Sequence, residues 1–416
     1  MLIKHGGVMK GIVPFSDTPK IYFLLLWFAM IMGSFVFIEP SPYDVLFLTC
    51  IVVGFTFSYF GLPYFTLPAL FMFLLFFISN LISMYFVTGS MTSSISFVAI
   101  TVYLILTWIC LVGLLKRYRR KILDLMFTGY TTAAIIAAAV GNLAYFKWIP
   151  QYESFLLFDR VKFLFKDPNV FGPFLIPAVL FCLWRFESTK RSIHKVIWIC
   201  MFFLTILGVL FSYSRAAWGN CLIALLLYAI LPSEVSKRQR LISLVTLIII
   251  LGLSLVILYG QPSVYDMLMH RLKYQQYDND RFGTQYNSLI NIMDAPFGIG
   301  PGQIENVFGM SSHSLYVRIS AEYGIVGVLS FFSFIGLTAI RAVRHVFRSR
   351  SKLLGNPIHP YMIIAAASLF GILFNSFFID TLHWRHLWIL LALPWIPLNE
   401  KEGDEKDQNR SNHNSF

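Results

Sequence analysis

Charged residues are scarce in this chain. Only 13% of its 416 residues are Asp, Glu, Lys or Arg, whereas 57% are hydrophobic and 17% are aromatic. Soluble domains carry about 25% charged residues. A soluble globule with so little charge has no way to hide 41 Phe, 20 Tyr and 9 Trp from water. The composition excludes a soluble enzyme and a disordered chain, and it indicates a polytopic membrane protein.

Cysteines are also few, and the signatures of several soluble enzyme classes are missing. There is no nucleotide-binding P-loop, no G-x-S-x-G nucleophile elbow and no pair of carboxylates placed for acid–base catalysis. The cysteines lie in apolar stretches without zinc-site spacing, so we expect small buried hydrophobic residues at Cys50, Cys110, Cys182, Cys200 and Cys221.

What the sequence does contain is a succession of long apolar runs. A bilayer core about 30 Å thick requires roughly 20 apolar residues per spanning helix. The runs predict an all-α polytopic membrane protein with about twelve transmembrane helices and a large folded extracytoplasmic loop before span 10. The predicted spans lie near 21–38, 45–62, 64–86, 92–115, 122–145, 168–184, 196–213, 216–231, 241–259, 319–340, 358–379 and 385–398.

These spans divide the chain into five parts. The loop mixes aromatic, apolar and turn residues, so we expect it to fold, whereas the end of the chain is polar and charge-rich. The predicted parts are a cytoplasmic N-terminus at 1–20, spans 1–9 at 21–259, the extracytoplasmic loop with the start of a catalytic motif at 260–318, spans 10–12 at 319–398, and a disordered cytoplasmic tail at 399–416.

The positive charge is concentrated on one side of these spans. In a soluble chain a net charge of +12 would suggest a nucleic-acid partner. With the N-terminus in the cytoplasm, 23 of the 33 Lys and Arg and 9 of the 21 acidic residues fall inside, which leaves +14 inside and −2 outside. This distribution satisfies the positive-inside rule with both termini cytoplasmic. It explains the charge without a nucleic acid.

Arg215 is a cation on the predicted outer side. Cations there depart from the positive-inside rule, so the position of Arg215 requires an explanation. It lies between two apolar spans with almost no loop, beside the first turn of the second span. The free N–H groups and the dipole at a helix start attract anions, and an arginine matches a phosphate bidentately. The alternative is an arginine whose head group reaches the membrane surface and anchors the helix.

Two further outer arginines, Arg281 and Arg160, have acidic neighbours. Arg281 follows Asp280, and Arg160 follows Asp159, so each arginine on its own is explained by a local ion pair. Taken together, several cations on a side that is otherwise net negative indicate an anionic ligand there.

His313 lies at the start of an apolar helix on the same predicted side. Histidine titrates near neutral pH and is the most common general base, so His313 is a candidate to deprotonate a sugar hydroxyl at the membrane surface. The alternative is a hydrogen-bonded interface residue. Gly324 and Gly327, farther along this helix, have an alternative role in close helix packing.

A third group, Asp380, His383 and His386, repeats at three-residue spacing in another predicted outer loop. The spacing is that of a helical metal face. Three weak ligands without a fourth do not define a metal site, and whether the group has any role stays open.

The stretch from His313 to Gly327 resembles the pattern that marks the O-antigen ligase family. In that pattern a histidine precedes Asn, Ser or Gln, nine residues follow, and then come a glycine, two residues and Gly, Thr or Tyr. Here Ser314 and Gly324 take the second and third marked positions. Other pieces are similar to the family in the same order, namely Pro42-Tyr43-Asp44, Asp167-Pro168-Asn169, Ser214-Arg215 with Trp218, and Arg281 followed by Gly298-Ile299-Gly300-Pro301-Gly302.

The resemblance implies a membrane glycosyltransferase of lipopolysaccharide biosynthesis, at the outer face of the bacterial inner membrane. Its donor would be a glycan on undecaprenyl diphosphate, a leaving group that needs neither nucleotide nor metal, so no cofactor is expected. Arg215 and Arg281 would hold the diphosphate, and His313 would deprotonate the acceptor hydroxyl for an inverting attack. Weaker candidates for contacts with the diphosphate or glycan are Arg160, Arg318 and Ser314.

Three alternatives stay open. The family contains ligases, which move a glycan onto lipid A-core, and polymerases of O-antigen, capsule or exopolysaccharide, which extend a growing glycan. The intact histidine motif favours a ligase slightly. A flippase or transporter for lipid-linked glycans is a different class, but the predicted spans contain almost no ionisable midplane residues and no repeat. A catalytically inactive scaffold is the third alternative.

Overall fold

The computed structural model describes residues 20–233, 235–259, 262–273, 276–290, 293–348 and 357–397. Within these ranges most residues are in helices. The helices are α1 Lys20–Ile31, α2 Pro42–Thr56, α3 Leu67–Met84, α4 Met91–Tyr118, α5 Arg120–Tyr145, α6 Pro168–Ser188, α7 Ser192–Phe211, α8 Arg215–Ile230, α9 Lys237–Tyr259, α10 Pro262–Leu272, α11 Gln276–Ile290, α12 Ile304–Phe308, α13 Leu315–Arg348, α14 His359–Asn375 and α15 Arg385–Ala392.

Short elements complete the described chain. A two-stranded antiparallel hairpin, with β1 at Leu156–Leu157 and β2 at Arg160–Val161, lies in the α5–α6 connection. Single 3₁₀ turns lie at Met32–Ser34, Tyr64–Thr66, Tyr152–Phe155 and Leu393–Trp395.

The all-α architecture agrees with a polytopic membrane protein. Six helical stretches are long and apolar enough to cross a membrane, at Tyr64–Met84, Met91–Tyr118, Arg120–Tyr145, Pro168–Ser188, Ser192–Phe211 and Leu315–Phe347. Four shorter apolar helices lie at Lys20–Ser34, Pro42–Thr56, Arg215–Ile230 and His359–Asn375. The structure therefore supports several spans, but it does not establish the number of twelve.

The structure differs from the prediction at the last span, 385–398. The α-helix there ends at Ala392 after 8 residues and continues as a single 3₁₀ turn that contains Pro394. At 1.5 Å per residue this helix is only about 12 Å long, which is less than half of the bilayer core. Hydropathy alone did not reveal that a proline would end the helix.

In the core, α6 packs against α5, α7, α8 and α14, and α13 packs against α3 and α14. Small residues let these helices approach closely: a Cβ at Gly208 of α7 would lie 2.7 Å from Leu175 Cδ1 of α6. Large aromatic rings fill the rest, with ring centroids 5.0 Å apart for Phe73 and Trp108 and 5.3 Å apart for Trp108 and Trp395. This packing brings the starts of α2, α6, α8, α13 and α15 to one end of the bundle, which we call the cavity end.

Near the cavity end, α13 is broken at Gly324, which has φ 63° and ψ −163°. The glycine-rich segment 296–302 crosses the break and supplies backbone partners: Ile299 N donates to Ala321 O (2.9 Å), and Ile325 N donates to Pro296 O (2.9 Å). A Cβ at Gly324 would lie 2.2 Å from Pro296 O. The two glycine motifs found in the sequence therefore meet at one crossing of backbones.

Candidate active site

A cavity of about 580 Å³ lies at the cavity end. We call it the arginine cavity because four half-buried arginines line it together with His313. Among the described residues of its lining, Asp167 is the one acidic residue. The arginines come from four different elements and are Arg160, Arg215, Arg271 and Arg281. The structure thus brings together four of the residues selected from the sequence, and it adds Arg271.

Arg215 is placed by a tight turn between α7 and α8. Tyr213 adopts a left-handed φ of 46°, and the Ser214 hydroxyl accepts a hydrogen bond from Ala217 N (3.3 Å), which caps the start of α8. Arg215 is the first residue of this helix. Its charge therefore lies beside the free N–H groups of a helix N-terminus, an arrangement that favours an anion.

Arg160 is held by two hydrogen bonds from its guanidinium. Nε donates to Ser212 O (2.9 Å), and a terminal nitrogen donates to Asn169 Oδ1 (3.0 Å). Burial, with the nearby Arg271 charge, lowers the pKa of Arg160 to about 10, and the carboxylate of Asp167 opposes the shift. Arg160 therefore stays charged at neutral pH.

Arg271 and Arg281 come from helices that follow α9. Arg271 in α10 donates from Nε to Tyr213 O (3.1 Å), which is in the turn that carries Arg215. Arg281 in α11 donates to Phe378 O, in the loop after α14. Sequence reasoning missed Arg271 because the motif set contains no piece around it. The available signal was a cation in the last turn of a short helix on the predicted outer side.

His313 lies two residues before the first residue of α13 and has a left-handed φ of 45°. The backbone around it is tied to α11, since Gln285 Nε2 donates to Ser312 O (2.9 Å). Burial lowers the pKa of His313 below the ordinary histidine value, and the charge of Arg281 lowers it further. Three carboxylates act in the opposite direction, at Asp167, Asp380 and Glu305. A lowered pKa keeps the imidazole neutral near pH 7, which is the form that accepts a proton.

Ser314 is 2% exposed and does not line the arginine cavity. Its hydroxyl accepts a hydrogen bond from Val317 N and donates to Ser376 O, each at 3.4 Å. Leu315 N also donates to Ser376 O (3.0 Å). Ser314 therefore ties the start of α13 to the loop after α14, which places His313.

Arg318 is 6% exposed, and the structure does not bring it into the lining of the arginine cavity. Its guanidinium pairs with Glu322 Oε1 (2.9 Å) and Asp380 Oδ2 (2.6 Å). The Glu322 carboxylate also accepts from Gly302 N (2.8 Å). This buried cluster joins α13, the glycine-rich segment and the loop after α14.

Gly327 and Gly324 also lie outside the lining of the cavity. At Gly327 a Cβ would lie 3.0 Å from Ser79 Oγ of α3. Ser79 Oγ in turn donates to Tyr323 O (2.6 Å). The motif glycines of α13 thus permit close approach by the glycine-rich segment and by α3.

Asp380, His383 and His386 do not converge on one point. Asp380 pairs with Arg318, His383 Nε2 lies 3.0 Å from Thr101 Oγ1, and the His386 ring packs against Trp384 at 5.1 Å. Within the described ranges, no group of three His, Cys, Asp or Glu residues is placed to hold a metal ion.

Residues 200–332 match the family model described as O-antigen ligase. Over this stretch, which is less than half of the chain, the protein is similar to the O-antigen ligase family. The stretch contains Arg215, Arg271, Arg281 and His313, and it ends beyond Gly327. The resemblance found in the sequence is therefore confirmed. No curated protein matches the chain. The match supports a role in glycan assembly, as a ligase or a polymerase.

Proposed function

We propose that this protein is a membrane glycosyltransferase that moves a glycan from undecaprenyl diphosphate to a sugar hydroxyl, as an O-antigen ligase does. The observation that carries the proposal is the arginine cavity, where four arginines and one histidine with a lowered pKa line the same space. A group of arginines matches a diphosphate, and a neutral imidazole beside it matches a hydroxyl nucleophile.

The proposed reaction is a single displacement. His313 takes the proton of the acceptor hydroxyl as its oxygen attacks the anomeric carbon from the face opposite the diphosphate. The bond between that carbon and the diphosphate oxygen breaks, undecaprenyl diphosphate leaves, and the configuration inverts. Negative charge grows on the leaving oxygen, where the arginines stabilise it through fixed charges in a partly buried site. These residues supply the acid–base and electrostatic parts of the reaction without a cofactor.

The proposed side is the extracytoplasmic face of the bacterial inner membrane, with both termini cytoplasmic. The support is the charge distribution in the sequence, since most Lys and Arg lie at the opposite helix ends from the arginine cavity. A lipid-linked donor and a membrane-anchored acceptor both reach such a site along the membrane. The acceptor of a ligase is lipid A-core, and that of a polymerase is a growing glycan.

The decisive test uses the purified protein in vesicles that contain the lipid-linked glycan, with and without lipid A-core. We expect transfer that depends on lipid A-core. Chain growth without the core would identify a polymerase of O-antigen, capsule or exopolysaccharide instead. Movement of the donor across the vesicle membrane without a new glycosidic bond would identify a flippase and overturn the transferase.

Two variants connect the reaction to the cavity. His313→Ala and Arg215→Ala proteins, each inserted in the membrane at the normal level, should accumulate lipid-linked glycan in cells and yield no transferred product. An Arg344→Ala protein is a matched control, because Arg344 lies near the other end of α13 and outside the lining of the arginine cavity. Normal product from either cavity variant would exclude the proposed roles.

A further inference from the structure

A second cavity, of about 160 Å³, lies at the same end of the bundle. We call it the tyrosine cavity. It is bounded by the end of α1 and the starts of α2, α6 and α15. Its lining includes Tyr43 from the Pro42-Tyr43-Asp44 motif, which has no place in the lining of the arginine cavity. The function proposed above therefore leaves this motif unexplained.

Two buried polar atoms at the tyrosine cavity lack a hydrogen-bond partner among the described residues. They are the hydroxyl of Tyr43 and Nε2 of His386, on side chains that are 1% and 4% exposed. Burying a polar atom without a partner costs free energy, so native proteins satisfy nearly all such atoms. Two of them at one cavity point to a polar ligand that satisfies both.

The charges of the described residues around the tyrosine cavity are balanced. Lys166 Nζ pairs with Glu39 Oε1 at 2.8 Å, and Arg385 Nε donates to Asp44 Oδ1 at 2.7 Å. Each of the two cations in the lining is thus paired with a carboxylate. This balance favours an uncharged ligand over a phosphate.

Aromatic rings form much of the remaining wall. Phe165, Phe174 and Trp384 line the tyrosine cavity, and the His386 ring packs between the last two, with centroid distances of 5.8 and 5.1 Å. Aromatic faces beside a hydroxyl and an imidazole suit a sugar ring, which has apolar C–H faces and hydroxyls at its edge.

The start of α6 separates the two cavities. Lys166 and Val170 line the tyrosine cavity, while Asp167 and Asn169 line the arginine cavity. Both cavities therefore border the same six-residue segment, 165–170. When one sugar of a glycan reacts beside His313, a neighbouring sugar of the same glycan can therefore lie in the tyrosine cavity.

We propose that the tyrosine cavity is a subsite for an uncharged sugar of the glycan, with Tyr43 and His386 hydrogen-bonded to its hydroxyls. This inference rests on the proposed transferase function, and it adds a binding site outside the residues that surround the reacting bond. The bound sugar belongs either to the donor or to the acceptor, because both carry sugar rings with hydroxyl groups.

The first test is Tyr43→Phe, which removes only the unpaired hydroxyl. The unfolding midpoint in detergent should stay unchanged or rise, because a buried unsatisfied group is lost. The KM for one glycan substrate should rise about five- to tenfold, the effect of one lost hydrogen bond. Ser368→Ala is the matched control, since the buried Ser368 hydroxyl also lacks a partner among the described residues and lies in neither lining.

Gly33→Ala tests the proposed subsite by reducing the volume of the tyrosine cavity. A Cβ at Gly33 would lie 3.7 Å from Tyr43 Cδ2 and 4.0 Å from Phe174 Cε2, which is ordinary contact. The variant should therefore fold normally, occupy part of the cavity and raise the same KM. Measuring KM separately for the lipid-linked donor and for the acceptor shows which substrate supplies the sugar.

A binding measurement separates this inference from the proposed reaction. The probe is free oligosaccharide, released by mild acid from the lipid-linked glycan and detected on the protein by saturation-transfer NMR. We expect the wild-type signal to fall in Tyr43→Phe and Gly33→Ala and to persist in His313→Ala. Equal binding and equal KM in wild type and both tyrosine-cavity variants would overturn the subsite. Binding that depends on Tyr43 in a protein without transferase activity would overturn only the proposed reaction.

Discussion

At the scale of single residues, the environment of His313 determines which proton transfers are possible. The imidazole is half-buried and near Arg281, and both conditions favour its neutral form. A group with a lowered pKa loses its proton at a lower pH than a free histidine does. In the proposed reaction, His313 is therefore in its basic form across the neutral range.

This environment predicts the pH dependence of the proposed reaction. As the pH falls through the lowered pKa of His313, the imidazole becomes protonated and kcat/KM should drop, with a midpoint below the ordinary value of 6.5. In Arg281→Gln one cation near His313 is removed, so the residual activity should fall off at a higher pH than in wild type. A profile of kcat/KM between pH 4 and pH 9 is the measurement. Identical midpoints in the two proteins would contradict the electrostatic account.

Arg271 provides a second prediction at this scale. Arg271→Ala should lower kcat by about 10²–10³-fold, the effect of losing one charged donor to a developing anion. The same change removes the hydrogen bond to Tyr213 O, so Arg271→Lys is needed as a companion variant.

The companion variant separates charge from geometry. Lysine keeps the positive charge but loses the planar fork, and we expect an intermediate kcat. Steady-state kinetics with lipid-linked donor measures both proteins. Full activity in Arg271→Ala would remove Arg271 from the set of diphosphate ligands.

At the scale of elements, the break in α13 is the feature that organises the cavity end. Glycines are required on both sides of the crossing: a Cβ at Gly298 would lie 2.3 Å from Glu322 O, and one at Gly324 would lie 2.2 Å from Pro296 O. Both contacts are to backbone atoms, which have no rotamer with which to move away. The crossing therefore tolerates no side chain at either position.

Gly324→Ala should accordingly destabilise the protein by at least about 2 kcal/mol, since it forces a clash at a left-handed φ. Gly336→Ala, in the same helix, is the matched control, because a Cβ at Gly336 would meet no neighbouring atom within 4 Å and alanine favours helix by about 1 kcal/mol. Thermal unfolding in detergent measures both. Equal midpoints for Gly324→Ala and wild type would contradict the crossing.

The sequence indicated some of these relationships and concealed others. The spacing of Arg318 and Glu322 at four residues was a visible sign of an ion pair within a helix. The second partner, Asp380, is 62 residues from Arg318, and no local pattern joins them. Arg271 was missed for the same reason, since its contact with Tyr213 depends on how α10 folds against the α7–α8 turn.

At the scale of the whole molecule, hydropathy predicted the class of fold well and the limits of single helices less well. Long runs such as Met91–Tyr118 are apolar over more than the bilayer thickness, so their helical state follows from composition. At the end of the chain the apolar run continued past the point where Pro394 ends the α-helix. Hydropathy shows that a stretch is apolar, but the end of the helix depends on a single residue, here Pro394.

The arrangement of the molecule in the membrane gives a further prediction. A periplasmic reporter enzyme fused after Ser312 should be active, and one fused after Thr189, between α6 and α7, should be inactive. The physical reason is the excess of Lys and Arg at the helix ends that include Thr189. Activity of the two fusions in intact cells measures the orientation, and the reverse pattern would place the arginine cavity in the cytoplasm.

The arginine cavity is formed by two parts of the structure. Arg160 and Arg215 belong to the helix bundle and its hairpin, while Arg271 and Arg281 belong to the helices after α9. A diphosphate bound by all four arginines would connect these two parts through one ligand. Because a ligand stabilises the state that binds it, donor binding should protect the segment around α10 and α11 from proteases. The bound donor would thus stabilise the arrangement of the two parts in which it reacts.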